Sequence, residues 1–110
     1  MMQKEIWMAD LNPVIGSEQS GVRPIIIISG LSMNSHYSVV IMCPLTRKLK
    51  PLKGCPVISP DKLNNLKTAS QAIPFQVRTI SKNRLTKKIG IVSDAELESI
   101  KQGLEMFLKY

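Results

Sequence analysis

The stretch "GSEQSGVRP", residues 16–24, sets one carboxylate, Glu18, and one guanidinium, Arg23, between glycines and just ahead of a run of isoleucines. A carboxylate can take a proton, and a guanidinium can grip two oxygens of an oxyanion at once. Ser17, Gln19 and Ser20 add neutral donors and acceptors beside them. Gly16 and Gly21 permit backbone conformations closed to other residues, and Pro24 fixes the exit, so a shaped loop is expected. The plainer alternative is an exposed Glu18–Arg23 ion pair, which is common and weak.

Charge points toward an acidic partner. Fifteen Lys plus Arg against eight Asp plus Glu leave a formal +7, a field that favours a polyanion or an acidic protein. "TRKLKPLK", residues 46–53, carries Arg47, Lys48, Lys50 and Lys53; "RTISKNRLTKK", residues 78–88, carries Arg78, Lys82, Arg84, Lys87 and Lys88. Neither segment holds an acid, so two local basic surfaces are expected.

Other chemistries find little support. His36 is the lone histidine, and no His, Cys or carboxylate cluster has metal-ligand spacing, so no metal or cofactor is expected. Cys43 and Cys55 lack C-x-x-C spacing and read as reduced thiols, with a bridge between them as the minor alternative. The N-terminus shows neither a signal peptide nor a membrane span, so the cytoplasm is the expected location and no membrane partner is expected.

A chain of 110 residues supports one core, hence a single domain over residues 1–110. "EIWMADL", "RPIIIIS" and "YSVVIMCPLT" read as strands forming the heart of a sheet, followed by "CPVISP", a helical or turn segment around "PDKLNNLK", then "ASQAIPFQVRTI" and "KIGIVS" as further strands. Ser93 and Glu96 form a capping box, and Leu97, Ile100, Leu104, Phe107 and Leu108 recur at helical spacing. Gly103 within that helix marks a close contact with a strand or a second subunit. The class is mainly β with helices (α+β), a small barrel or sandwich carrying a C-terminal amphipathic helix.

"EIWMADLNPVIGSEQSGVRPIIIIS", then "PLT", "QVRTISKNRL" and the C-terminal helix resemble, in order, the MazF/PemK (Kid) family of toxin endoribonucleases of type II toxin–antitoxin systems. The resemblance implies a compact SH3-like, CcdB-like barrel, a homodimer, an acidic antitoxin partner and metal-independent, sequence-selective cutting of single-stranded RNA. It implies that Arg23 and Thr46 are the catalytic pair and that Ser17, Glu18, Gln19 and Gln76 line the RNA groove, with Arg78 and Thr79 completing the motif. Some relatives carry a catalytic aspartate and an arginine where this chain has Phe75 and Ile73, so that variant of the mechanism is closed to it.

On that reading Arg23 and the Thr46 hydroxyl stabilise the negative charge of the transition state as the ribose 2′-OH attacks the adjacent phosphate. Arginine holds its proton too tightly to act as a base, which leaves Glu18 as the candidate. Ser20, Arg47, Lys48, Lys50 and Lys53 are expected to help hold the RNA. Trp7 reads as core or dimer interface rather than as a base platform. The competing reading is a non-catalytic toxin or binding module on the same fold, as in the CcdB toxins that bind gyrase.

Overall fold

The computed structural model describes residues 2–13, 15–18 and 21–109. Its strands are β1 (Glu5–Asp10), β2 (Val22–Ile27), β3 (Val39–Thr46), β4 (Val57–Ile58), β5 (Ser70–Ala72), β6 (Arg78–Ser81) and β7 (Leu85–Ile91). They form one antiparallel sheet in the order β4-β5-β3-β2-β1-β7, with β6 added beside β3. The sheet curls into a half-barrel, and two helices, α1 (Leu31–His36) and α2 (Asp94–Leu108), are attached to it.

The isoleucine run follows from β2 being covered on both faces. Successive side chains of a strand point to opposite sides. Ile25 and Ile27 enter one cluster with Ala9, Leu11, Val40, Met42 and Ile80, whereas Ile26 and Ile28 join Ile6, Cys43, Leu45, Ile58 and Ile100. Each isoleucine fully buried this way contributes roughly 1.5–3 kcal/mol. Trp7 packs at the margin of the first cluster, its Nε1–H donating to Glu5 at 3.0 Å.

Residues 69–80 do not form the single strand expected. They divide into β5, a 3-10 turn over Pro74–Gln76 and β6. Pro74 has no N–H for a ladder and is preset for the first helical position, and Pro44 on β3 likewise lacks a donor. β3 therefore pairs with β5 through Leu45 and Thr46 and with β6 from Val39 to Met42, while the chain bows outward between them. Phe75 and Gln76 ride on that bow.

α1 has too few residues for a helical period to show in the sequence. It is pinned by buried Asn34, which donates to the Ser29 carbonyl at 2.8 Å and accepts from the Ser29 hydroxyl. His36 lies at its exposed end, 2.8 Å from the Ser32 carbonyl. The segment after β4 is a turn organised by Asp61 and buried Asn64.

α2 begins at the expected capping box, with Glu96 N–H donating to Ser93 Oγ at 3.1 Å and Ser93 N–H to Glu96 Oε1 at 2.9 Å. Leu97 and Ile100 are buried, and Leu104 and Phe107 half-buried; Leu108 is 76% exposed, so the apolar face ends earlier than its spacing suggested. A Cβ at Gly103 would sit 2.0 Å from the Gly54 carbonyl oxygen. The close contact expected at Gly103 is with the loop ahead of β4.

Both cysteines are free and buried. Burial pushes the Cys43 thiol up to about 12, and the Cys55 thiol up as well, so both remain protonated at neutral pH.

Candidate active site

The β2–β3 ladder ends with Ile25 opposite Pro44. Extending its register by two residues sets Arg23 opposite Thr46, where the strands flare apart. Both sit at alternating positions from Ile25 and Pro44 and so belong to the same face. Arg23 is half-buried and held in register by Ala9 of β1. Thr46 is 8% exposed and pairs with Gln71 of β5; its Oγ1 accepts the Lys48 N–H at 3.1 Å.

In front of Thr46 lies a cavity of about 310 Å³ whose wall includes Ser17, Lys48, Lys50, Gln71, Phe75 and Gln76. A smaller one, about 170 Å³, includes Glu18 and Arg78 and shares Phe75 and Gln76 with the first. The 3-10 turn is the partition between them, and Gln76 Nε2 reaches the Ser17 carbonyl at 3.5 Å. Gly16 and Gly21 have φ of +65° and +78°, the left-handed conformations that the loop requires of glycine. Its closure adds Leu11 N–H to the Gly21 carbonyl at 3.0 Å and Gly21 N–H to Asn12 Oδ1 at 3.1 Å.

Glu18 is exposed, and its Oε1 accepts the Ile15 N–H at 2.8 Å. One carboxylate oxygen of Glu18 thus braces its own loop.

The sequence-derived set is only partly assembled. Ser17, Thr46, Lys48, Lys50 and Gln76 share one cavity, with Glu18 and Arg78 next to it. Arg47 faces away into a different cavity, and Lys53 stands against α2 with Ser99, Gln102 and Met106. The reason is the strand alternation carried past Thr46, followed by a loop that turns toward the helix. Gln19 and Ser20 lie outside the described residues.

Two residues escaped the sequence reading. Gln71, 2% exposed, uses its whole amide: Oε1 accepts the Lys50 N–H at 2.8 Å, while Nε2 donates to the carbonyls of Lys50 at 2.8 Å and Cys55 at 2.9 Å. It ties the loop bearing Lys48 and Lys50 to the strand beside Thr46. Phe75, 51% exposed, places an aromatic ring on the cavity wall, its edge contact with Phe107 at 5.2 Å between centroids. Neither shows in a local pattern, because Phe75 depends on the bow between β5 and β6 and Gln71 on the pairing of β5 with the end of β3.

Residues 2–108 match the family of PemK-like, MazF-like toxins of type II toxin–antitoxin systems. The chain belongs to this family. Among curated relatives, the endoribonuclease MazF of Staphylococcus saprophyticus is 31% identical over 109 residues, covering 98% of this chain and 91% of its own. The fold is shared with the crystal structure of MazF from Deinococcus radiodurans, at a TM-score of 0.86 and 18% identity over 100% of this chain and 97% of that one. It is also shared with a mycobacterial endoribonuclease in complex with its cognate antitoxin, at 0.79 and 20% identity over 100% and 98% of the two chains. The PemK/MazF family is one of toxin endoribonucleases. Among the described residues of this PemK/MazF chain no helix is long and apolar enough to cross a membrane.

Proposed function

We propose that this toxin endoribonuclease cleaves single-stranded messenger RNA at a short recognition sequence by attack of a ribose 2′-OH on the adjacent phosphate, without a metal. What supports this reading is the β2–β3 ladder, which ends with Ile25 opposite Pro44 and, carried two residues further, would set Arg23 and Thr46 on one face. Arg23 binds the non-bridging oxygens as they gain charge, and the Thr46 hydroxyl donates a further bond; preorganised donors of this kind contribute about 2.7–4 kcal/mol each in other enzymes. The 2′-OH proton passes to a base while the 5′-oxygen leaves and takes up a proton, for which Arg23 is the proposed donor. The products are a 2′,3′-cyclic phosphate and a 5′-hydroxyl.

Glu18 is the proposed base through the oxygen not engaged by Ile15. Glu18→Gln preserves an acceptor for the Ile15 N–H while removing the basic oxygen, so kcat should fall across the whole pH profile. An unchanged profile would return Glu18 to bracing alone. Lys48, Lys50 and Arg78 hold the phosphates, Ser17 and Gln76 read base edges, and Phe75 offers a stacking face. An acidic antitoxin would compete for the same positive field, and the active species is a cytoplasmic homodimer.

The test is incubation with a long mixed-sequence single-stranded RNA in EDTA, beside Arg23→Ala, with the new ends mapped and chemically typed. Cuts at one recurring sequence, bearing 5′-hydroxyl ends and absent with the variant, support the reading. Intact RNA from folded wild-type protein would transfer the assignment to a binding module.

A further inference from the structure

Behind the catalytic face lies a further cavity, about 480 Å³, whose wall includes Pro24, Arg47, Ser70, Lys67, Lys87 and Lys88. Its position is set by strand alternation. Pro24 adjoins Arg23 on β2, and Arg47 follows Thr46 at the end of β3. On β5 Ser70 adjoins Gln71, which lines the catalytic cavity. The two cavities are therefore back to back across the same end of the sheet.

The cations around the rear cavity differ in the charge they offer a ligand. Lys88 is engaged by Glu5 at 2.8 Å, whereas Arg47, Lys67 and Lys87 are exposed around the rear cavity and in no recorded ion pair among the described residues. These cations come from three separate segments, the β3 end, the turn before β5 and strand β7, and converge on one opening. A strand held at Thr46 and Arg23 and continuing past the flared end meets them next.

We propose that the rear cavity is a subsite for the sugar–phosphate backbone of the RNA flanking the cut, reached by the strand as it rounds the end of the sheet. The inference rests on the RNA-cleaving reading and extends it. The cavity wall carries no aromatic side chain. It therefore holds phosphates without reading bases, and flanking RNA of any sequence improves binding.

The experiment uses oligonucleotides carrying one mapped cut site, either bare or extended by six uridines on the 5′ side or the 3′ side, with wild type and the double variant Lys67→Ala/Lys87→Ala. In wild type one of the two extensions should lower KM by about threefold to tenfold, the range of two exposed charge contacts. The double variant should lose that gain while cleaving the bare oligonucleotide as wild type does. Its salt dependence on the extended substrate should be shallower by about 1.4, from two phosphates at about 0.7 each.

An extension without effect, or a variant that weakens the bare and extended substrates equally, overturns the proposal. So does a variant that keeps the length effect and loses only its affinity for an acidic protein partner. Absence of cleavage for every wild-type substrate would instead overturn the RNA-cleaving reading itself.

Discussion

Residues 46–53 and 78–88 are equally basic in sequence, yet the fold uses them for different ends. The first segment is held by Gln71 from below and turns its side chains outward, so Lys48 and Lys50 line the catalytic cavity. In the second segment cations are drawn into the structure. Lys82 donates to the Asn34 carbonyl, Arg84 to the carbonyls of Asp10 and Asn12, and Lys88 pairs with Glu5. Arg78, Lys87 and Lys88 of that segment also line cavities. A basic run becomes a binding surface where its backbone is satisfied by someone else's side chain, and a scaffold where its own side chains satisfy loop carbonyls.

Breaking the anchor of the first segment should have the largest effect. Gln71→Leu takes the amide away from the Lys50 N–H and from the carbonyl of buried Cys55, at about 1–3 kcal/mol for each group left unsatisfied. The expected result is a stability loss of about 3 kcal/mol in urea melts together with a raised KM for RNA. A loss of stability with KM unchanged would show that the anchor shapes the core but not the groove.

Next in size is the anchor within the second segment. Arg84→Ala removes charged donors from the Asp10 and Asn12 carbonyls and should lower stability by about 1 kcal/mol while leaving the salt dependence of RNA binding unchanged. A flatter salt slope would make Arg84 part of the binding surface after all.

The Glu5–Lys88 pair supplies a pH test. Burial pushes the Glu5 carboxyl up, but Lys88 and the N–H groups of Met2 and Trp7 outweigh it and hold its pKa below 4.5. A carboxyl depressed in the fold contributes stability above its unfolded value, and that stability is lost as pH falls through its folded value. Asp94, lowered by Lys4, acts in the same direction. Lys88→Met should therefore lower stability at neutral pH and make its fall between about pH 5 and pH 2 shallower than in wild type. An identical acid limb in thermal melts would remove the pair from the ledger of acid sensitivity.

The smallest stability effect belongs to the exposed lysines of the first segment. Lys48→Ala/Lys50→Ala should change stability by no more than about 0.5 kcal/mol, yet reduce the salt slope of RNA binding by about 1.4. Unchanged slopes would take both lysines out of the groove.

Much of this molecule was legible in its residues because the signals are local. The β-branched run of β2 and the capping box at Ser93 restrict their own backbone, and the glycines around Glu18 open conformations other residues refuse, so strands, helix and loop follow from short-range chemistry. The motifs around Arg23 and Thr46 likewise announced the family. The division of cations did not show, because it depends on register: one residue past Thr46 the side chain changes face, and Arg47 parts company with Lys48. Gln71 and Phe75 were equally hidden, since Gln71 acts on a loop far away in sequence and Phe75 stands where prolines on facing strands interrupt a ladder and the chain bows out. Sequence by itself determined which groups are present and the local conformations they favour; tertiary structure decided which of them meet, because contact between distant segments depends on strand order, alternation and the carbonyls left to be satisfied.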